Sequence, residues 1–532
     1  MLVDCREYHS KELNSYDLCI VGAGAAGITI ARSLLHTNIK IALLESGGID
    51  FESGIQQLAH GTSSGYPYYE LIDSRLRFFG GTTAIWGGRC ALLDEIDFEK
   101  REWLPHSGWP FKRSELMPYY ERAQALLELE PIPLGNDTWS IHGLKCPPFS
   151  SELIDTSFWQ FDRKADRFAL SNSKDLSGAK NVSIYLHATV TDIKLNENGD
   201  SVESVQFSDI SEKGGTIQAK YFVLASGGLE NPRLLLNSTK VQKSGIGNQH
   251  DLVGRFFMEH AHARGGRIVT NKPWKAIQIL PRAYLYQGKK YAAIGRPGKH
   301  LQQQQQILNT SFSLSARRHR DQKQALTSRA YNSLRHELDP TSGNRKLWQL
   351  QRRAIANIGQ HIGHYLRWMV VKAGVQDLYA VIRAEQAPNP DSRVTLTQNR
   401  DALGQQEINL DWRFMEIDKR SVKVLMQTLD NELRRLDIGH VEHAPWLEDD
   451  SVTWETDELI SNHAIAGYHH LGTTRMSEDP KSGVVNEHCQ VHNVNNLYIA
   501  GSSVFPTSSW ANPTLTILAL CLKLGDHLEN KF

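Results

Sequence analysis

An α/β chain, α+β overall, in which a dinucleotide-binding domain is interleaved with a second domain, is predicted by three features. Gly22-Ala23-Gly24-Ala25-Ala26-Gly27 follows an apolar strand directly and opens a helix. Glu45 closes the next strand, about 20 residues beyond the glycines, which is the spacing of the acid that meets a ribose. Apolar strands ending in glycine return much later, at Tyr221–Ala225 before Ser226-Gly227-Gly228 and at Leu497–Ala500 before Gly501. With 532 residues the chain exceeds what one ordinary core accommodates, so two domains are expected.

The elements justify themselves in order. Asp17–Val21 is a short buried strand, and Ile28, Ala31, Leu34 and Leu35 after the glycines fall at helical spacing. Ile39–Leu44 is the second strand. Val182–Leu186 and Val190–Leu195 read as further strands, followed by a turn at Asn196-Glu197-Asn198-Gly199. Gln302–Gln306 reads as a loop or a helix surface. Near the C-terminus, Asn512-Pro513 has the form of an N-cap followed by proline at the first helical position, with an apolar helix from Thr514 to Leu524.

Composition narrows the partners. Lys plus Arg equals Asp plus Glu at 59 each, so no global field favours nucleic acid or an anionic membrane. The six cysteines form no CxxC pair, zinc spacing or haem motif, so no metal site is expected and reduced thiols are. Asp4, Arg6, Glu7, Lys11 and Glu12 give a polar N-terminus with no secretory signal. The apolar run Leu515–Leu522 falls far short of the roughly 20 residues that span a bilayer. A soluble, cytoplasmic protein is the expectation.

Residues 315–375 depart from the overall neutrality. Arg317, Arg318, Arg320, Lys323, Arg329, Arg335, Arg345, Lys346, Arg352, Arg353, Arg367 and Lys372 are opposed only by Asp321, Glu337 and Asp339. Leu347, Trp348, Leu350, Ile355, Ile358, Ile362, Leu366 and Trp368 supply an apolar face. Two readings stand: solvated outer faces of packed helices, or docking on a membrane surface, an acidic partner or an anionic substrate.

Two loops carry chemistry. In Gly80-Gly81-Thr82-Thr83-Ala84-Ile85-Trp86-Gly87-Gly88, four glycines let backbone approach a flat ligand, and the apolar Ile85 and Trp86 argue against an exposed turn. His469 and His470 stand in a loop bounded by Gly467 and Gly472, where a neutral imidazole suits a general base. The fingerprint alone does not separate a nicotinamide from a flavin cofactor, nor an enzyme from a non-catalytic flavoprotein scaffold.

Taken in order, these motifs resemble the glucose–methanol–choline (GMC) family of FAD-dependent alcohol oxidoreductases over nearly the whole chain. The series is GAGAAG with Glu45; Gly80–Gly88; Val223–Leu234; Val253-Gly254-Arg255 through His260; Pro388–Val394; and the closing His and Asn loops. The resemblance implies a Rossmann-like FAD-binding domain over 15–98, 165–264 and 462–532. A substrate-binding domain over 99–164 and 265–461, on an antiparallel sheet with helices, accompanies it. It makes His469 the base and Asn512 the second catalytic residue, with His470 as a supporting or substrate-contacting one.

FAD contacts are then expected from Gly22, Gly24, Ala25, Ala26, Gly27, Glu45 and Ser46; from Gly80, Gly81, Thr82, Thr83, Ile85, Trp86, Gly87 and Gly88; from Val190, Ala225, Ser226, Gly227 and Asn231; and from Gly501, Ser502, Asn512, Pro513 and Thr514. Some relatives tether FAD through a histidine where this chain has Ile85, so non-covalent FAD is expected. Many carry an aspartate at the position of Gly501; the Gly-Ser-Ser form resembles sugar-oxidising members. The last helix would aim its positive N-terminus at reduced flavin. A small-molecule alcohol, of a sugar or polyol above others, and an acceptor (oxygen, quinone or redox protein) complete the expectation.

Overall fold

The computed structural model describes residues 1–7, 14–131, 137–164, 166–281, 283–318, 338–457 and 465–532. Lys11, Glu12, Arg320, Asp321, Lys323, Arg329, Arg335 and Glu337 lie outside them.

The first sheet has eight strands. Its order is Leu2–Asp4, Val182–Leu186, Ile41–Leu44, Asn14–Val21, Gly214–Leu224, Val202–Ser208 and Thr189–Leu195. Leu497–Ile499 also pairs with Gly214–Leu224, in parallel, with Phe222 opposite Leu497. The first four pairs are parallel as well. Such strands are buried on both faces, and Ile41–Leu44 is apolar and buried throughout. The helix Ala25–Ser33 follows the glycine fingerprint and packs against the terminal helix Thr514–Glu529. Chain ends therefore share one layer, as the returning strands predict.

The second sheet is antiparallel. It runs His440–His443, His262–Val269, Asp377–Arg383, Ser311–Arg317, Lys289–Pro297, Ile154–Phe161 and Arg89–Cys90, with Tyr284–Tyr286 beside Lys289–Pro297. Arg89 and Cys90 thus leave the glycine loop straight into this sheet, inside a stretch assigned by resemblance to the FAD domain. Gly61–Gly65 does likewise, joining Arg393–Arg400 and Gln406–Trp412 in a three-stranded sheet. These crossings tie the floor of the nucleotide layer to the ceiling above it. Gln302–Gln305 lies in the helix Lys299–Gln305, and the described part of the basic segment includes a helix of 31 residues, Ser342–Lys372. All six cysteines are free, and five are buried.

Candidate active site

One cavity runs between the two main sheets, and the predicted residues converge on it. Of the fingerprint, Gly22, Gly24, Ala25 and Ala26 line it, with Glu45 and Ser46 from the next strand end. Gly80, Gly81, Thr82, Thr83, Ile85, Trp86, Gly87 and Gly88 form one wall, and Val190, Ala225, Ser226 and Gly227 another. Gly501, Ser502, Asn512, Pro513 and Thr514 close it beside His469 and His470.

Two expected contacts stand behind the wall instead. Gly27 lets the first helix press on its own loop: a Cβ there would sit 2.0 Å from the Gly22 carbonyl oxygen. Asn231 is fully buried; its Oδ1 accepts from Ser226 N at 2.9 Å and its Nδ2 donates to Ala500 O at 3.2 Å. It braces two lining loops against each other, because its amide can satisfy both backbones at once.

The cradle suits a dinucleotide. Gly24 caps the first helix at its N-terminus, and a Cβ at Gly24 or at Gly501 would meet nothing within 4 Å. Ligand groups can therefore approach bare backbone and the positive end of a helix. Gly501 adopts φ +112°, a region that strains any other residue, which accounts for its glycine. Glu45 accepts from Ala23 N and Gly47 N, each at 3.0 Å, so its two oxygens are fixed facing the cavity with lone pairs to spare. Burial raises its pKa, opposed by those same N–H groups. Ser502 donates to His470 O at 2.7 Å, tying the last turn to the histidine loop.

The helix start differs from its sequence reading by one position. The terminal helix begins at Thr514 with Pro513 as its cap, and no side chain caps it. The Asn512 amide is therefore free to face the cavity, and its Nδ2 lies 3.2 Å from His469 Nε2. Imidazole and amide, 43 positions apart, meet there across the open space.

His469 is held from three sides. Met258 and Leu471 each donate an N–H to the other's carbonyl at 3.1 Å, which fastens the histidine loop to the segment entering the second sheet. This register puts His260 Nδ1 at 2.9 Å from His469 Nδ1. Beneath both, buried Glu259 accepts from His469 N at 2.9 and 2.8 Å, from His260 N at 2.8 Å and from Gly467 N at 3.3 Å. Tyr68 donates to its Oε2 at 2.7 Å.

The hydrogen bonds decide the tautomers. His260 Nε2 lies 2.9 Å from Ser508 O, and a carbonyl only accepts, so His260 carries its proton there. His260 Nδ1 is then an acceptor, and His469 Nδ1 must donate to it. His469 Nε2 is left bare, accepting from Asn512 and pointing into the cavity. Burial keeps both rings neutral: His260 falls to about 4, and His469 is held well below the ordinary histidine value by burial and then by His260, His262, His470 and Arg89.

His470 stands beside the pair and does not face Asn512. Its ring lines the cavity, but Nε2 lies 3.1 Å from the Tyr68 hydroxyl, on the branch that leads to Glu259. Burial lowers its pKa to about 3. Neighbouring residues in a turn point their side chains apart, so only one of the pair can reach Asn512.

Sequence reasoning missed Tyr68, Glu259, His260, His262, Arg89 and Arg383. The available signal was Glu259-His260 set between Phe256-Phe257-Met258 and Ala261, a charged pair inside an apolar run. Such a pair is buried only when something satisfies it.

A nucleotide cradle opening onto a bare imidazole nitrogen suits an oxidoreductase with a nucleotide cofactor. The model of the FAD dependent oxidoreductases matches residues 17–246, and that of the GMC oxidoreductases matches residues 388–521. The chain is thus an FAD-dependent oxidoreductase with a C-terminal GMC oxidoreductase domain. A 2-methyl-1,2-propanediol dehydrogenase of Mycolicibacterium austroafricanum is 23% identical over 97% of this chain and 95% of its own. The fructose dehydrogenase large subunit of Gluconobacter japonicus is 24% identical over 98% and 99%. The solved pyridoxine 4-oxidase from Mesorbium loti shares the fold, with a TM-score of 0.54 at 16% identity, covering 97% of this chain and 99% of that one.

Ile85 lines the cavity with a hydrocarbon side chain that offers no nucleophile to a flavin. Acid precipitation of the purified protein is therefore expected to leave all flavin colour in the supernatant. Colour in the pellet would show a covalent link.

Proposed function

We propose that the chain oxidises a secondary or primary hydroxyl of a sugar, polyol or glycoconjugate to a carbonyl, with His469 as base and Asn512 as its partner. The observation that carries this reading is the chain of hydrogen bonds from Ser508 O through His260 to His469, which leaves Nε2 of His469 unprotonated and facing the cavity. Bound FAD supplies the hydride acceptor, through its N5. His469 Nε2 takes the hydroxyl proton while its Nδ1–H stays on His260, so the ring cannot rotate out of line. Asn512 Nδ2 offers its hydrogen to the substrate oxygen as that oxygen becomes a carbonyl. Glu259 Oε1, 3.9 Å from His469 Nδ1, offsets the charge that the ring acquires. Trp86 and Tyr468 border the same space with aromatic surface.

The sugar and polyol assignment is supported by the relatives' own substrates, a diol and fructose. A second reading, a substrate that also bears an acidic group, is favoured by Arg89 and Arg383. Both line the cavity on the His469 side, and their guanidinium carbons lie 5.5 and 5.1 Å from the ring centre of Trp159.

An anaerobic screen of neutral sugars, polyols, uronic acids and simple alcohols tests both readings through loss of flavin absorbance. Bleaching by neutral sugars or polyols supports the first, and faster bleaching by uronic acids the second. A flavin that no member of the panel reduces would overturn the proposal. Admitting air afterwards separates oxygen from a quinone or redox-protein acceptor.

A further inference from the structure

The helix Ser342–Lys372 is amphipathic in the reverse of the usual sense. Surface helices bury an apolar stripe and show water their charges. Here the outward side carries Leu347, Leu350, Ile355, Tyr365, Leu366 and Met369, which are 38–62% exposed. Several of the charges turn inward instead. Arg345, with a side chain only 4% exposed, pairs with Asp50 at 2.7 Å and lies 4.9 Å from the ring of Phe78. Arg352 donates to Trp86 O at 3.3 Å and to Gly87 O at 2.7 Å, reaching the loop that walls the active cavity. At the far end Trp368 meets Trp274 edge-on at 6.1 Å, and Trp274 is itself 39% exposed.

Charge identifies what this face meets. The helix holds six Lys and Arg and not one Asp or Glu, in a chain whose net charge is +0. Lys346, Arg353 and Lys372 are exposed along it, and Lys275 is exposed beside Trp274. A second copy of the same face would set these cations against each other. Apolar side chains, tryptophans at the edge and a cationic margin match the boundary of an anionic bilayer, into which such helices sink by about 5–10 Å. Among the described residues no helix is long and apolar enough to cross a membrane, so the contact is one of surface docking.

We infer that the helix Ser342–Lys372 docks the enzyme in the plane of an anionic lipid surface, with Leu347, Leu350, Ile355, Tyr365, Leu366 and Met369 entering the headgroup boundary. Arg352 ties this helix to the Trp86-Gly87 wall of the active cavity, so docking brings that wall close to the lipid surface. An amphiphilic substrate or acceptor would then arrive without crossing bulk water. The inference is read by vesicle binding without turnover, so it stands or falls apart from the proposed reaction.

Co-sedimentation of the FAD-loaded full chain with vesicles tests it, comparing pure phosphatidylcholine with phosphatidylcholine containing phosphatidylglycerol. Binding is expected only with the anionic lipid, and is expected to weaken as salt rises. The double variant Leu350→Glu/Ile355→Glu should bind about tenfold or more weakly while keeping its flavin content. Lys346→Gln/Arg353→Gln should weaken binding by about tenfold and flatten the salt dependence. A wild-type protein that stays in the supernatant with anionic vesicles would overturn the inference. So would double variants that sediment like wild type, or a dimer in free solution that Leu350→Glu dissolves.

Discussion

Replacing His469 with alanine is expected to leave FAD bound and to slow its reduction by substrate by about two to four orders of magnitude. The cofactor should stay because the His469 side chain is not part of the glycine cradle formed by Gly22, Gly24, Gly80 and Gly501. The rate should fall because the bare nitrogen is the one acceptor that the Ser508–His260 chain aims into the cavity. His470 is turned toward Tyr68, and the His260 Nδ1 that the substitution uncovers stands a ring's width behind the lost Nε2, out of line with Asn512. Stopped-flow bleaching under anaerobic conditions reads the change. Wild-type reduction rates in His469→Ala would move the base elsewhere.

Glu259→Gln is expected to slow flavin reduction by on the order of a hundredfold and to remove a step from its pH profile. Burial pushes the Glu259 carboxyl up to about 7, against the pull of Tyr68 and of the N–H groups of His260, His469 and Gly467. Below that pH it is a neutral acid; above it, an anion 3.9 Å from His469 Nδ1. The anion stabilises the imidazolium that forms when His469 takes the substrate proton. The wild-type rate should therefore rise as pH increases through about 7 and then level off. His469 does not account for that step, since burial and the neighbouring His260 hold its own pKa well below the ordinary histidine value. Glutamine keeps one oxygen for the backbone N–H groups and never ionises, so its profile should be flat. A variant that is slow yet retains the step would make Glu259 a purely structural support.

What could be read from the sequence was what is local in it. The glycine fingerprint, Glu45 and the Gly80–Gly88 loop each declare themselves within a few residues, and of the cofactor contacts expected from them all but Gly27 line the cavity. His469 and Asn512 could be named because each sits in a short motif, and the structure brings them within 3.2 Å. His260 was harder: its meaning lies in a contact 209 positions away, created by the Met258–Leu471 bridge rather than by any spacing. Asn-Pro also suits an N-cap, yet the Asn512 amide leaves the helix uncapped and faces His469. Periodicity also revealed an apolar stripe in the basic helix. It could not reveal which way the stripe faces, since rotating a helix about its axis leaves its pattern unchanged.

The strand Leu497–Ile499 has a consequence for assembly. It lies in register beside Gly214–Leu224, so the nucleotide layer stays incomplete until residues 497–499 have been synthesised. A ribosome making this chain exposes the edge of Phe222–Leu224 while about 270 further residues are added before Leu497 arrives. Non-local pairing of this kind folds slowly and leaves sticky intermediates. Cofactor supply during expression should therefore govern yield as much as activity, because only the closed layer can capture and be stabilised by it.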